Sequence, residues 1–277
     1  GVRNDYANPS FVHVMNAGMR DFYARKFAAA ESDFELALRL IPDNTLAMSF
    51  EDAAATYLPG ELDRLADQAV HAAGLHPRRY DLRVRLGFID LFESLRGLDD
   101  SSNAQAQWGL ADRIQPGGAA AHVGSGILDL RRQNLSRAKR QFLTALQADP
   151  NDALANEYLS AIYQTDLKEP LPALRYALTV VDLVPQYADI RFHAGSILND
   201  VHQPSEAVKY VTQALELDTG RVGEAGQYGL TLLAGIYIAQ HKLNDAKRVL
   251  SAAVHENLDA GYASTLLAKI SKGDYNH

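Results

Sequence analysis

Pro42, Pro77, Pro116, Pro150 and Pro185 follow one another at intervals of 35, 39, 34 and 35 residues, and no other feature of this 277-residue chain restricts its fold as tightly. A second series keeps step with the prolines. Ala30, Ala104, Ala138, Ala173 and Ala207 each stand four residues before Phe34, Trp108, Phe142, Ala177 or Val211. Twelve residues ahead of four of these alanines sits another small residue: Gly18, Gly126, Ala161 or Gly195. A fixed period near 34 with small residues at set offsets signals stacked helical units, each burying its apolar face on the next. The expected fold class is therefore all-α, an α-α superhelix of helix-turn-helix units.

Each period divides into two helices. In the first, Phe11, Val14, Met15, Met19 and Phe22 have helical spacing, Arg25-Lys26 marks a turn, and Phe27, Phe34, Ala37, Leu38 and Ile41 carry the second helix. Pro42-Asp43-Asn44 then ends one helix and caps the next, because proline cannot continue a helix and Asp or Asn accepts from its first N–H groups. Asp149-Pro150-Asn151-Asp152 repeats this punctuation. Seven units are expected, at about 11–44, 45–79, 80–118, 119–152, 153–187, 188–221 and 227–260, all in one domain over 1–277. A helix over 260–272 would cap the open end, which a solenoid needs for solubility. The second unit is degenerate, with Ala53 and Leu65 where the clearest units have glycine and alanine. The third carries a five-residue surplus in the polar stretch from Ser94 to Asn103, and Asp218 to Gly223 adds a few residues between the sixth and seventh.

Composition narrows the function classes. Hydrophobic residues make up 47% of the chain, enough for a continuous core. The net charge of −7 argues against a nucleic-acid partner, whose binding depends on neutralising phosphates. The absence of cysteine removes disulfides, zinc–thiolate sites and thiol nucleophiles. No run approaches the ~20 apolar residues of a membrane span. The chain opens Gly1-Val2-Arg3, which reads as the remnant of a tag or of a removed leader. The compartment stays open between periplasmic or secreted and cytoplasmic.

No catalytic, metal or cofactor site is expected. The nine histidines form no HExxH pair and no helical pair at metal-ligand spacing. The glycine-rich run from Gly117 to Gly126 lacks the Gly-Lys-Ser/Thr ending of a phosphate loop, and no G-x-S-x-G elbow occurs. Arg78, Arg79, Arg83, Arg85 and Arg96 form the one basic cluster, readable as a solvated helix face or as a dock for an acidic partner. Asp21, Asp90 and Asp129 recur at equivalent places on first helices, readable as surface charges or as a ladder for basic groups.

With Gly126, Ala138, Phe142, Ala145 and Pro150 in the fourth unit, and Ala194-Gly195, Ala207, Val211 and Ala214 in the sixth, the chain resembles the tetratricopeptide repeat (TPR) family. It departs from the family pattern in lacking the early first-helix tryptophan, since the lone Trp108 lies in a second helix. The resemblance implies a right-handed superhelix whose first helices line a concave groove for an extended peptide or partner helix. Carried over by position, that groove would hold Val12, Met15, Met19, Phe22 and Tyr23; Ala47, Phe50, Ala54, Tyr57 and Leu58; Val84, Phe88, Leu91 and Phe92; and Val123, Ile127, Leu130 and Arg131. Tyr158, Ile162, Thr165, Asp166, Phe192, Ser196, Asn199 and Asp200 would continue it, growing polar and acidic. The residues that chaperone-tail-binding TPR proteins use as a carboxylate clamp are missing from the first four units.

The expected partner-binding set is Met15, Met19, Phe22, Tyr23, Phe50, Tyr57, Phe88, Phe92, Ile127, Arg131 and Tyr158. The same apolar stripe also reads as core, since a shift of one residue exchanges the two. The expected function is a non-catalytic scaffold that binds a protein or peptide. The alternative is an accessory TPR component of a bacterial envelope or polysaccharide-export assembly. Self-association through the apolar face is left open.

Overall fold

The computed structural model describes residues 3–95 and 101–273, which are helical throughout and contain no strand. Arg96, Asp99 and Asp100 lie outside the described residues. The helices are α1 (Pro9–Tyr23), α2 (Phe27–Leu40), α3 (Thr45–Ala55), α4 (Glu61–Leu75), α5 (Tyr80–Leu95), α6 (Ser102–Ile114), α7 (Ala119–Arg131) and α8 (Leu135–Ala148). They continue as α9 (Ala153–Ala161), α10 (Pro170–Leu183), α11 (Ala188–Asp200), α12 (Pro204–Leu217), α13 (Glu224–Ala239), α14 (Leu243–His255) and α15 (Ala260–Lys272). Successive helices pair as antiparallel hairpins stacked into a superhelical solenoid, and α15 packs on α14.

The punctuation works as its chemistry demands. Asn44 Oδ1 accepts from Ala47 N at 3.0 Å and Asp152 Oδ1 from Ala155 N at 2.9 Å, capping α3 and α9. The small-residue and aromatic series is a single packing device. A Cβ on Gly18 would lie 2.8 Å from the Phe34 ring, and one on Gly126 would lie 2.8 Å from that of Phe142. The rings therefore press on the glycines of their own hairpins. Their other faces meet the next unit: Phe34 packs on Phe50 at 5.5 Å and Phe142 stacks on Tyr158 at 5.1 Å. Trp108 sits between Gly87 of its own hairpin and Gly124 of the next, leaving no room for a Cβ at either.

The second unit is irregular for a packing reason. Leu65 is buried where the other units have alanine, and its bulk keeps α4 off α3. Instead α4 packs mainly on α5, through a separate cluster of Leu62, Leu65, Ala69, Ala73, Leu86 and Ile89.

The solenoid turns tightly enough to close on itself. Helices α3, α5, α7 and α9 are in mutual contact around the axis, with α3 touching α9. Buried alanines on these helices, Ala47, Ala54, Ala120, Ala153 and Ala155 among them, let the backbones approach. Unit 1 also meets the sixth unit: Gly220 N donates to Tyr23 O at 2.7 Å and Arg25 Nε donates to Gly220 O at 2.7 Å. Unit 2 meets the fifth, where the Phe50 and Tyr187 rings pack edge to face at 5.1 Å. The residues inserted between the sixth and seventh units thus form part of a seam. Asp218 shapes that loop, accepting from Val222, Gly223 and Gly226 N.

The other end of the seam is polar. Arg3 forks between Asp5 and Asp43, with Asp149 at 3.4 Å, and Thr45 Oγ1 donates to Asp152 Oδ1 at 3.0 Å. Burial pushes the Asp152 carboxyl up to about 7 and that of Asp149 up to about 6.

Candidate functional site

The closure divides the expected groove in two. Met15, Met19 and Tyr23 are at most 1% exposed, and Phe22 and Phe50 at most 8%. These five are core, and the seam covers two of them directly: Tyr187 meets the Phe50 ring, and Tyr23 accepts from Asp189 N and Gly220 N. Tyr57 is 54% exposed but lies flat on Phe27, centroids 4.0 Å apart.

The remaining five residues come together. Phe88, Phe92, Ile127, Arg131 and Tyr158 line one cavity of about 240 Å³, with Ser49, Leu91, Leu95 and Leu130. Helices α5 and α7 supply most of it, and α9 and α3 complete it. Phe88 and Ile127 are buried and form its floor, Phe92 and Tyr158 are half-buried walls, and Leu95 is 58% exposed at its edge. Arg131 is exposed and donates to Ser94 Oγ at 2.7 Å, which in turn donates to Leu91 O. Among the described residues, no carboxylate lies within ion-pair distance of Arg131. The result is an open apolar pocket with one cation at its edge.

A second, polar groove of about 580 Å³ lies on the far side of α9. There the helix continues as a π-helical turn over Ile162–Asp166, with Leu167 N donating to Ile162 O at 3.1 Å. Gln164 on that turn reaches α11, donating to Ser196 Oγ at 3.2 Å and Asp200 Oδ2 at 3.0 Å. Thr165, Lys168, Phe192, His193 and Glu224 also line the groove. His193 Nε2 lies 2.8 Å from Glu224 Oε2. Burial pulls the His193 pKa down, but Glu224, Glu157 and Asp189 outweigh it and the net shift is upward. Glu157 accepts from Tyr187 OH at 2.7 Å through Oε1, while its buried Oε2 has no hydrogen-bond partner among the described residues. Burial pushes the Glu157 carboxyl up to about 7.

Thr165, Phe192, Ser196 and Asp200 belong to the polar continuation read from the sequence; Gln164, Lys168 and Glu224 do not. The signal that exposes Gln164 and Lys168 is the π-turn, which adds a residue to one turn of helix and re-aims the side chains at and just beyond it, while Glu224 enters from the start of α13. No sequence period announces that turn.

Two other sequence features resolve differently. The basic cluster disperses. Arg85 is buried against Glu51 and Asp52 at 2.6 Å, Arg79 pairs with Asp81, and Arg83 donates to Gln107 Oε1. Asp21 and Asp129 pair within their own hairpins, with Lys26 and Arg137 at 3.6 Å, and form no inward ladder. Among the described residues no cluster of His, Asp and Glu is arranged to hold a metal, and no helix is long and apolar enough to cross a membrane.

Solved structures resemble this architecture. YrrB, described as "a TPR protein with an unusual peptide-binding site", matches with a TM-score of 0.56 and 21% identity, over 73% of this chain and 98% of its own. PilF of Pseudomonas aeruginosa matches with a TM-score of 0.52 and 18% identity, over 67% of this chain and 75% of its own. The fold is a TPR-like solenoid. Cut9, in its hetero-tetramer with Hcn1, reaches a TM-score of 0.64 at 13% identity, over 94% of this TPR-like chain and 48% of its own. No family model and no curated protein matches the sequence.

Proposed function

We propose that this TPR-like array acts as a single non-catalytic protein-interaction scaffold and binds a peptide segment of a partner in the pocket bounded by Phe88, Phe92, Ile127, Arg131 and Tyr158. One observation carries the reading. In a superhelix that buries Met15, Met19, Phe22, Tyr23 and Phe50 of its apolar inner stripe, this stretch keeps an open cavity with an exposed leucine, Leu95, at its edge. Apolar surface left open beside a lone charge is the usual form of a side-chain-accepting site. The description of YrrB as a peptide binder is in keeping with it. No observation singles out the envelope-assembly alternative.

A random dodecapeptide library displayed on phage tests the reading. Selection on the wild type should enrich clones with a shared large apolar residue. Selection on Leu95→Glu, which alters the exposed edge and leaves the floor intact, should not. No enrichment on the wild type, or equal enrichment on the variant, would overturn the pocket as the site.

A further inference from the structure

We infer that the polar groove between the π-turn and α11 receives a lysine or arginine side chain from the same segment whose apolar side chain fills the Phe88–Tyr158 pocket. The inference rests on the peptide-binding reading above and adds the partner's chemistry to it.

The groove is built for a cation. Its acids already draw one ring towards positive charge: the His193 imidazole lies 2.8 Å from Glu224, and Glu224, Glu157 and Asp189 together shift its pKa upward. That pair satisfies Glu224 from one side only, and the Glu224 side chain remains 58% exposed to the groove. Across the cavity, the Asp200 carboxylate is held by a neutral donor, the Gln164 amide at 3.0 Å. Among the described residues no cation lies within ion-pair distance of Asp200. Lys168 is the one lysine or arginine among the described residues lining the cavity. Two carboxylates thus face a cavity of about 580 Å³, large enough for a long side chain. The half-buried Phe192 ring offers an apolar wall for its methylene stem while the charged head reaches the acids.

The π-turn explains how the two sites come to be neighbours. Tyr158 on α9 walls the apolar pocket, and Gln164 and Thr165, one and a half to two turns later on the same continuous element, line the polar groove. The apolar pocket lies mainly between α5 and α7 and the polar groove between the π-turn and α11, so their centres are roughly two interhelical spacings apart. An extended segment covers that distance in about four to six residues. The recognised pattern is therefore one large apolar residue and one basic residue separated by that interval.

The same dodecapeptide library separates this inference from the one beneath it. Wild-type selection should enrich Lys or Arg at a fixed spacing from the apolar residue. Selection on Asp200→Asn/Glu224→Gln should keep the apolar preference and lose the basic one. For a synthetic peptide from the wild-type pool, the double variant should raise Kd about five-fold, as should norleucine in place of the basic residue. Combining the two changes should cost no more than either alone. Apolar enrichment with no basic preference, or a basic preference unchanged in the double variant, overturns this inference and leaves the pocket standing. Absence of any enrichment overturns both.

Discussion

Helices α1 and α3 carry the same kind of apolar inner stripe as α5 and α7, yet the first pair is sealed and the second open. Phe50 on α3 and Phe88 on α5 are both buried aromatics of that stripe, one helical turn apart in register. Phe50 is covered by Tyr187 from across the superhelix, whereas Phe88 floors a cavity. The difference does not lie in the glycine-against-aromatic contact, which the α1–α2 hairpin shares with the α5–α6 and α7–α8 hairpins. It lies in what the turn of the solenoid brings round. Units 1 and 2 meet the Pro185–Tyr187 and Asp218–Gly223 loops, and nothing among the described residues covers the ends of α5 and α7. In an array of this kind, the local repeat sets the helix pairs and the pitch decides which apolar residues are surface.

The largest expected effect sets the two halves against each other. Phe50→Ala removes a ring that touches Phe22, Phe34 and Tyr187, and should cost about 3–5 kcal/mol in chemical denaturation. Leu95→Ala, at the open edge, should stay within about 0.5 kcal/mol. Similar losses at both sites would mean that the open pocket is closed in solution.

Arg3→Ala tests the polar end of the seam. The guanidinium neutralises Asp5, Asp43 and Asp149, and its removal leaves two buried carboxylates and one half-buried carboxylate close together. A loss of about 2 kcal/mol is expected, discounted from the cost of breaking a fully buried pair because Arg3 is 32% exposed. Hydrogen exchange should quicken in α1 and α3 and stay unchanged in α7. Uniform quickening would show that the seam is not a separable contact.

Acidity should strengthen the closed half. Burial holds the Glu157 carboxyl at about 7 in the folded state, above its ordinary 4.5. The folded protein therefore binds that proton more tightly than the unfolded chain does. The resulting stabilisation is fully present below the unfolded value and is lost as pH rises through about 7. Asp152, at about 7, and Asp149, at about 6, act in the same direction, as does the raised His193. Tm should fall between pH 5 and pH 8. Glu157→Gln should flatten that slope by about 2 kcal/mol, since a neutral amide keeps the Tyr187 contact without the titration. An unchanged slope in the variant would remove Glu157 as its source.

The sequence discloses the hairpins through contacts within and between adjacent units. Gly18, Gly126 and Gly195 mark where Phe34, Phe142 and Val211 press, and the prolines mark where second helices end. The closure escapes it because Tyr23 and Gly220, or Phe50 and Tyr187, are more than 130 residues apart and obey no period. The same blindness made Tyr23 and Phe50 look like groove residues: an inward-facing apolar residue reads identically whether or not a distant unit covers it. The alanines that permit the tight turn, Ala47 and Ala54 among them, also read as unremarkable lining. Of the candidate site, the α5–α7 pocket was legible because adjacent units build it. The π-turn that opens the polar groove was not.

The smallest expected effect concerns the turns inside the hairpins, and it sharpens the comparison most. Four of them share one arrangement. After α7, Gln133 takes a left-handed φ of 60°, its N–H donates to Leu130 O at 2.8 Å, and Asn134 N donates to Asp129 O at 2.8 Å. Arg25, His202 and His241 repeat this after α1, α11 and α13. Glycine is the usual occupant of such a position, since a Cβ is strained there. Gln133→Gly should therefore stabilise the array by about 0.5 kcal/mol, after allowing for the greater freedom glycine gives the unfolded chain. Arg25→Gly relieves the same backbone strain but deletes the 2.7 Å hydrogen bond from Arg25 Nε to Gly220 O. That bond fastens unit 1 to the sixth unit, so the relief should be offset and Tm should stay level or fall. Thermal melts of the two variants side by side then weigh the seam against a turn of identical geometry. Equal gains would mean that the Arg25–Gly220 contact contributes nothing to the closure.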